Sequence, residues 1–263
     1  MSEPGPPPQS PFAGKFDFSE RPPVRTLSVG EIERQLAEHR LYLETEWREG
    51  HRANFASVDL TGHDFSRLNL RGIKMDRALL KGADFTGAKL QSANLIGAIL
   101  ETARLDEADL SRARLSGANL VSASLENADL AKAEMEFVLL ANAVLRGACL
   151  RGADMSGALL DGAVLSRADL REANLRGAGL RDARLDGADL RDARLGAAFL
   201  AGASLRAADL CGTYLRLARL DGADLSNADL RGTEGLTQAQ IDRAHCNGGT
   251  RLPEGLTGGK NAK

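Results

Sequence analysis

The sequence of 263 residues is poor in the side chains that most enzymes use for acid–base and nucleophilic chemistry. Histidine occurs four times, at His39, His51, His63 and His245, and is absent from residues 64–244. A Ser–His–Asp or Cys–His site needs a histidine within hydrogen-bonding reach of its nucleophile. The first three histidines follow at twelve-residue intervals, which matches no common zinc pattern. We therefore expect no enzymatic activity, no catalytic residue, no cofactor and no metal.

Other absences narrow the class of protein further. No run of 18 apolar residues occurs, so no membrane span is expected, and residues 1–27 lack the apolar core of a secretory signal. Between residues 53 and 232, 23 Lys and Arg stand against 24 Asp and Glu, a net charge of −1 (23 − 24), which argues against direct nucleic-acid binding. The three cysteines, Cys149, Cys211 and Cys246, are expected to be unpaired thiols, which favours a reducing, cytoplasmic location.

What the chain has in abundance is a five-residue repeat. From Phe55 to Leu230 every fifth residue is large and apolar, 36 times in succession, and 30 of these 36 residues are Leu. Two positions before each of them lies Ala in 30 of the 36 cases. A repeat this regular is typical of a solenoid, in which each unit packs on its neighbours.

The period excludes a helix and favours an extended chain. In a helix a five-residue step would rotate the Leu row by about 140° per repeat, so no apolar face could form. In a strand the Ala and Leu slots point to the same side, and the three residues between pairs are free to turn a corner. The slot two residues after each Leu holds Gly in 16 of 36 repeats, as turns require. No proline between Pro23 and Pro253 removes a backbone donor.

The repeat units themselves point to a known family. Ala93-Asn94-Leu95, Ala108-Asp109-Leu110 and Ala188-Asp189-Leu190 resemble the A-(D/N)-L-x-x unit of the pentapeptide repeat family. The resemblance implies an all-β fold, a right-handed quadrilateral β-helix with four repeats per coil. The 36 repeats would then form about nine coils.

The flanking segments are interpreted as ends of this rod. Residues 1–27 are rich in Pro and Gly and are expected to be a disordered tail. Residues 28–52 are expected to form a capping helix, which begins with a Ser28–Glu31 capping box and carries an apolar stripe as far as Trp47. Residues 53–232 would be the β-helix, and residues 233–263 a C-terminal cap and tail with a short helix through about His245.

Reading the outward slot before each Leu at intervals of twenty shows one face of the square at a time. One face carries an acidic ladder: Asp109, Asp129, Asp169, Asp189, Asp209 and Asp229. We expect Arg151, Arg171, Arg191 and Arg231, each two residues after a ladder position, to offset the repulsion between these carboxylates. The alternative is that each carboxylate only accepts hydrogen bonds from turn amides.

A neighbouring face is apolar at most of its outward slots. Together with the matching outward slot around the next corner and one residue at the preceding corner, the apolar surface comprises Leu79, Ile99, Leu139, Leu159, Phe199, Val144, Val164 and Phe137. A connected apolar surface of this kind usually marks an interface, although isolated exposed apolar residues are also common. We expect this face to bind a protein partner or a second copy of the chain.

These observations favour a non-enzymatic β-helical scaffold that presents flat faces to a protein partner. The family resemblance implies an alternative, because some members mimic the shape and charge of duplex DNA and bind type II topoisomerases, giving quinolone or toxin resistance. The acidic ladder supports that alternative, and the interleaved arginines weaken it. Export as an effector remains a third possibility implied by the family.

Overall fold

The computed structural model describes residues 24–258, in which the chain winds into a rod that pairs with itself every twenty residues. Parallel bridges join Asn54 to Lys74 and Asp59 to Leu79, and the same step recurs up to Tyr214 and Glu234. Twenty residues therefore make one coil with four five-residue sides. Within the described part of the chain the sides pair through single bridges, because a turn interrupts the extended backbone after every three residues.

The corners of the rod are tight turns of one type. The second residue after each inward Leu has a positive φ at every corner from Ser57 to Gly232. At a representative corner the amide of Ala78 donates to the carbonyl oxygen of Met75 across 3.1 Å. A positive φ at only the third turn position is the geometry of a type II turn, which Gly and Asn adopt most easily. The Gly-rich slot of the repeat thus coincides with the corner.

The Ala and Leu slots of the repeat fill the interior of the rod. Their side chains are almost all fully buried, from Ala53 to Leu230. At the N-terminal end the wider side chains stack on one another, with the ring centroids of Phe65 and Phe85 4.9 Å apart. Thr213, which replaces Ala, is also buried, and its hydroxyl donates to the carbonyl oxygen of Leu190 across 2.9 Å. The substitution is tolerated because its polar atom has a partner.

The first helix, α1, spans Val29–Glu44 and lies across the open end of the first coil. Its capping box is formed, since Ser28 and Glu31 each bond the other's backbone amide. The buried ring of His39 accepts a hydrogen bond from the amide of Ala53 at Nδ1 (3.3 Å), and Gln35 accepts one from Asn54 (3.2 Å). Burial, together with the nearby Arg52, lowers the pKa of His39 and favours the neutral ring that can accept. The helix therefore supplies hydrogen-bond partners to exposed coil amides.

Both helices are shorter than the sequence predicts. The prediction that the apolar stripe continues to Trp47 is wrong: α1 ends at Glu44, and Trp47, at φ 73°, is 70% exposed. The second helix, α2, spans only Gln238–Ile241. His245, expected in that helix, instead pairs with Asp224 in a parallel bridge. Unpaired coil edges at the ends of a rod recruit extended backbone, which competes with helix formation.

The N-terminal segment expected to be disordered divides into two parts. Residues 1–23, like residues 259–263, lie outside the described residues. For residues 24–27 the prediction is wrong, because Arg25 donates to the carbonyl oxygen of Ser57 (2.8 Å) and accepts from the amide of Asp59 (2.9 Å). Neither helix of the described chain is long and apolar enough to cross a bilayer.

Candidate interaction surfaces

The apolar face is the side of the rod formed by the outward residues from Asp59 to Arg219 in steps of twenty. Parallel bridges connect Leu79 with Ile99 and Leu139 with Leu159, so these residues are direct neighbours along the rod. Leu159 is 44% exposed, and the others are partly exposed. Val144 and Val164, also bridged to each other, continue the apolar surface on the next side. The structure thus brings the residues expected for a partner face together on two adjoining sides.

Two arginines border the C-terminal part of the apolar face. The guanidinium carbon of Arg181 lies 5.0 Å from the ring centroid of Phe199, and that of Arg219 lies 5.9 Å away. Such cation–π contacts hold the ring and leave positive charge beside it. Phe199 is therefore a partly shielded aromatic group rather than a freely exposed one.

Phe137 lies at the corner beside the apolar face, and its ring extends along the rod. A Cβ atom at Gly157 would come within 2.6 Å of this ring, so the ring covers the glycine backbone of the next coil. Gly157 has a φ of 66°, which also disfavours a side chain at that position. The apolar face is consequently bounded on this side by an aromatic ridge.

The acidic face carries the ladder of aspartates. The prediction that it neighbours the apolar face is wrong, because the two rows are ten residues apart in a coil of twenty and therefore lie on opposite sides. Arg171 bonds Asp169 through Nη2 (2.5 Å) and reaches Asp189 of the next coil through Nε (3.5 Å). Arg191 repeats this arrangement with Asp189 (2.6 Å) and Asp209 (3.5 Å). Each arginine therefore links two successive carboxylates. The hydrogen bond from Arg171 is the main reason that the pKa of Asp169 lies below its usual value.

Three of the four members of the arginine row bond ladder carboxylates directly. Arg231 bonds Asp229 across 2.7 Å, and this bond lowers the pKa of Asp229. Arg151 bonds Glu172 instead (2.7 Å), and only its nearby charge contributes to the lowered pKa of Asp169. Glu172 lies one coil further on and presents a carboxylate toward the same guanidinium. The acidic face is thus neutralised from Asp169 onward.

The N-terminal part of the ladder is stabilised differently. Asp109 accepts hydrogen bonds from Ser111, through its amide (3.0 Å) and its hydroxyl (2.7 Å), and from the side chain of Gln91. Asp129 accepts from the amide of Ala131 across 2.9 Å. These are the turn-amide contacts that the alternative interpretation of the ladder predicts. Turn amides also bond the later carboxylates, as from Arg171 to Asp169 (3.2 Å) and from Arg191 to Asp189 (3.2 Å). The alternative interpretation therefore holds along the whole ladder, and the arginine side chains add to it from Asp169 onward.

Two cysteines interrupt the acidic face. Cys211 occupies the corner position that arginine holds in the coils before and after it. Burial, followed by hydrogen bonds to Asp209 and Asp229, raises the pKa of the Cys211 thiol to about 12. Burial also raises the pKa of Cys149, which lies between Asp129 and Asp169. Both thiols are free and are held in their protonated form.

The repeat signature identifies the family. Eight matches to the family described as pentapeptide repeats cover residues 51–87, 64–101, 83–120, 108–147, 118–157, 139–177, 158–196 and 198–234. The chain belongs to the pentapeptide repeat family. The prediction from the A-(D/N)-L-x-x units is thereby confirmed, and the rod is the right-handed β-helix of that family.

Solved structures of pentapeptide repeat proteins are similar to this chain. HetL, involved in heterocyst differentiation regulation in the cyanobacterium Nostoc sp. strain PCC 7120, is 32% identical over 90% of this chain and 94% of its own, with a TM-score of 0.32. A protein of the Arabidopsis thaliana thylakoid lumen is 38% identical over 38% of this chain and 66% of its own (TM-score 0.30). Full-length QnrB1, a plasmid-mediated fluoroquinolone resistance protein, is 18% identical over 74% and 92% (TM-score 0.36). Curated proteins gave no match.

A groove beside α1 was missed by reasoning from the sequence. It has a volume of about 640 Å³ and lies along the corner where the acidic face ends. Its charged and aromatic lining residues are Tyr42, Trp47, Arg52, Arg71, Arg112 and Lys132. Tyr42 belongs to α1, Trp47 and Arg52 belong to the loop after it, and the other three residues occupy corner positions of separate pentapeptide repeats. Reading both corner slots at intervals of twenty would have placed Arg71, Arg112 and Lys132 along one corner of the rod, but the contribution of Trp47 depends on where α1 ends.

The described residues hold no group of three or more His, Cys, Asp and Glu side chains placed to bind a metal. Of the four histidines, His39 is buried under α1 and His51 contacts Glu38 on the same cap (3.3 Å). His63 packs its ring on Phe65, with 4.5 Å between centroids. Pentapeptide repeat proteins are generally structural or interaction proteins, and the candidate sites here are accordingly surfaces.

Proposed function

We propose that the protein is a non-enzymatic scaffold that binds a protein partner through the apolar face. The observation that carries this proposal is the exposure of Leu159 together with the bridged, partly exposed Leu139, Val144 and Val164. Apolar side chains that form one continuous surface lose contact with water when a partner covers them. On the opposite side of the rod, by contrast, the charged groups already have partners within the chain.

The rod itself is well suited to this role. We propose that residues 53–232 form about nine coils, closed by residues 28–52 at one end and by the segment from residue 233 at the other. The contacts of His39 and Gln35 with coil amides support the N-terminal assignment. The bridges of His245 and Arg251 to the last coil support the C-terminal one. Closed ends prevent pairing between rods, so a partner is directed to the sides.

Affinity capture with matched variants tests the proposal. The bait would be the wild-type chain, the double variant Leu139→Asp/Leu159→Asp, or Arg194→Asp as a control on the outward slot of an adjoining face. We expect the double variant alone to lose the captured partner, because two carboxylates would have to be desolvated in the interface. Light scattering of each bait would report any change in its own mass. Unchanged capture and unchanged mass in the double variant would show that the apolar face is not the binding surface.

The free thiols of Cys149 and Cys211 support a cytoplasmic site of action. Labelling of intact and lysed cells with a membrane-impermeant thiol reagent after denaturation would test this assignment. We expect the thiols to be modified only after lysis, and modification in intact cells would contradict it.

Binding of a type II topoisomerase is the second candidate function. The acidic face supports it, since Asp109, Asp129, Asp169, Asp189, Asp209 and Asp229 follow one another along the rod. The arginines that bond Asp169, Asp189 and Asp229 reduce the negative potential of that face. A DNA gyrase supercoiling assay decides the question. Inhibition that is lost when Asp109 and Asp129 are changed to Asn would support it, and no effect at micromolar protein would rule it out.

A further inference from the structure

The two ends of the apolar face carry opposite charges at equal distances from its centre. Asp59 lies four coils before Leu139, and Arg219 lies four coils after it, each about 19 Å away at a coil spacing of about 4.8 Å. Besides its contact with the Phe199 ring, Arg219 has a long contact with Asp221 (3.7 Å). The carboxylate of Asp59 accepts the amide of Thr61 and forms no ion pair within residues 24–258. Arg25, which bridges the same coil, donates to the carbonyl oxygen of Ala56 (2.9 Å), and Lys81 of the next coil pairs with Glu101 (3.4 Å).

Opposite charges at equal distances make the face complementary to itself. If a second copy is laid face to face with its rod direction reversed, about a two-fold axis at Leu139, Asp59 lies opposite Arg219 of that copy. At the flanking corner, Glu101 then lies opposite Arg181. Because a two-fold axis repeats every contact, this arrangement creates four juxtapositions of opposite charge.

The apolar and small residues of the face fit the same arrangement. Leu79 lies opposite Phe199. Ile99 lies opposite Gly179, which is buried beneath the side chains of Leu159 and Asp161, so Ile99 would contact those side chains. The remaining pair sets Asn119 against Leu159. The amide group of Asn119 already donates to Glu101 (2.7 Å) and accepts from Val121 (3.1 Å), so an apolar neighbour leaves neither bond unmade.

Other ways of pairing two copies fit less well. With parallel rods, each residue would face its own counterpart, so Asp59 would meet Asp59 and Arg219 would meet Arg219. Like charges at an interface are unfavourable. With antiparallel rods, only the axis at Leu139 brings all nine rows of the face into contact, because Asp59 and Arg219 are its first and last rows.

We propose that two copies of the chain associate through the apolar face as an antiparallel dimer whose two-fold axis passes Leu139. This inference rests on the proposed function of the face and names a second copy as its occupant. The face is about 38 Å long and no more than about 16 Å wide, so the dimer would bury on the order of 1,000 Å² in total. Interfaces of that size are at the small end of specific ones, and we expect dissociation in the micromolar range.

Sedimentation velocity over a concentration series gives the first test. We expect a monomer–dimer equilibrium for the full chain. Leu139→Asp places two carboxylates against each other at the axis and should raise the dissociation constant at least about a hundredfold. Arg194→Asp, on an adjoining face, should leave it within about twofold, and circular dichroism would verify that both variants keep the fold.

Charge reversal gives the second test and distinguishes the two rod directions. Arg219→Asp should raise the dissociation constant about tenfold, because it turns two attractive pairs into repulsive ones. The double variant Asp59→Arg/Arg219→Asp should restore the wild-type value within about twofold. Parallel rods predict instead that the single reversal has no effect, since it replaces one like-charge pair by another.

The outcomes separate this inference from the proposed function. A wild-type chain that stays monomeric up to about millimolar concentration, or a double reversal that fails to restore dimerisation, overturns the antiparallel dimer. If such a monomer still loses a captured protein on Leu139→Asp/Leu159→Asp, the face binds a different protein and the proposed function stands. If dimerisation and capture are both unaffected by that double variant, both proposals are wrong.

Discussion

The acidic and apolar faces present the same backbone position on opposite sides of one rod. Most outward side chains of the acidic face are bonded to other residues of the chain, whereas those of the apolar face are not. On the acidic face, Arg171 and Arg191 each bond the aspartate of their own coil and reach the aspartate of the next. On the apolar face, Leu139 and Leu159 project outward beside each other. The corner residue that follows an outward side chain therefore decides whether that side chain is bonded within the chain or left exposed to solvent.

The corner position explains this difference. A long cationic side chain two residues after the outward slot can reach two successive coils, because the coils lie only about 4.8 Å apart. After Leu139 the corner residue is Ala141, and after Leu159 it is Asp161, which bonds Arg181 (3.4 Å). Neither covers the leucine in front of it. The pattern of corner residues thus determines which outward side chains are bonded within the chain and which stay exposed.

Removing the inward leucine beneath each face tests whether the contrast is confined to the surface. Leu140→Ala beneath the apolar face and Leu190→Ala beneath the acidic face should each lower the free energy of unfolding by about 2–5 kcal/mol, since both side chains are fully buried. Urea unfolding followed by circular dichroism measures this. A loss at one site less than half that at the other would show that the two faces also differ inside the rod.

The reactivity of Cys211 tests whether burial and the neighbouring carboxylates of the acidic face raise the pKa of its thiol. With its pKa raised to about 12, the thiol should react with iodoacetamide at pH 8 about a hundredfold more slowly than an unperturbed cysteine. Asp229→Asn should accelerate the reaction, because it removes one neighbouring carboxylate. Mass spectrometry of alkylated peptides resolves Cys211 from the other cysteines. A rate equal to that of the urea-unfolded chain would contradict the expected protection.

Removing the arginines that link successive aspartates tests whether the acidic face depends on them for the stability of the chain. Arg171→Met/Arg191→Met leaves adjacent carboxylates unpaired and should lower the free energy of unfolding at low salt. The loss should shrink in about 1 M NaCl, where repulsion between exposed carboxylates is screened. Arg194→Met is the matched control, and we expect it to stay within about 0.5 kcal/mol. A salt-independent loss would assign the effect to packing instead.

The smallest expected effect is the pH dependence that these arginines confer. Hydrogen bonds from Arg171 and Arg191 hold the pKa values of Asp169 and Asp189 below the usual 3.8. The folded state therefore binds fewer protons than the unfolded state as the pH falls, so this stabilisation is complete above about pH 4 and is lost below it. Stability measured between pH 5 and 2 should fall less steeply for Arg171→Met/Arg191→Met than for the wild-type chain. Parallel curves would show that the arginines do not set these pKa values.

The outward residues of both faces could be predicted from the sequence because the repeat keeps a constant register. Reading every twentieth residue placed Leu139 beside Leu159 and Asp169 beside Asp189, and the bridges have those partners. The ion-pair partner of Arg151 could not be predicted, since Asp169 and Glu172 both lie within reach of its flexible side chain. The end of α1 could not be predicted either, because Trp47 fits the apolar period equally well within a helix or beyond it.

The sequence by itself therefore determined the period, the inward residues and the identity of each face, since a strand fixes the direction of every side chain and the turns recur every five residues. The tertiary structure alone decided which charged groups pair across coils, how far the helices extend at the two ends, and that Trp47 and Arg52 line a groove with Arg71 and Arg112. Those outcomes depend on side chains and end segments that have several partners within reach. A local sequence pattern does not rank such alternatives, because the packing of the surrounding chain makes the choice.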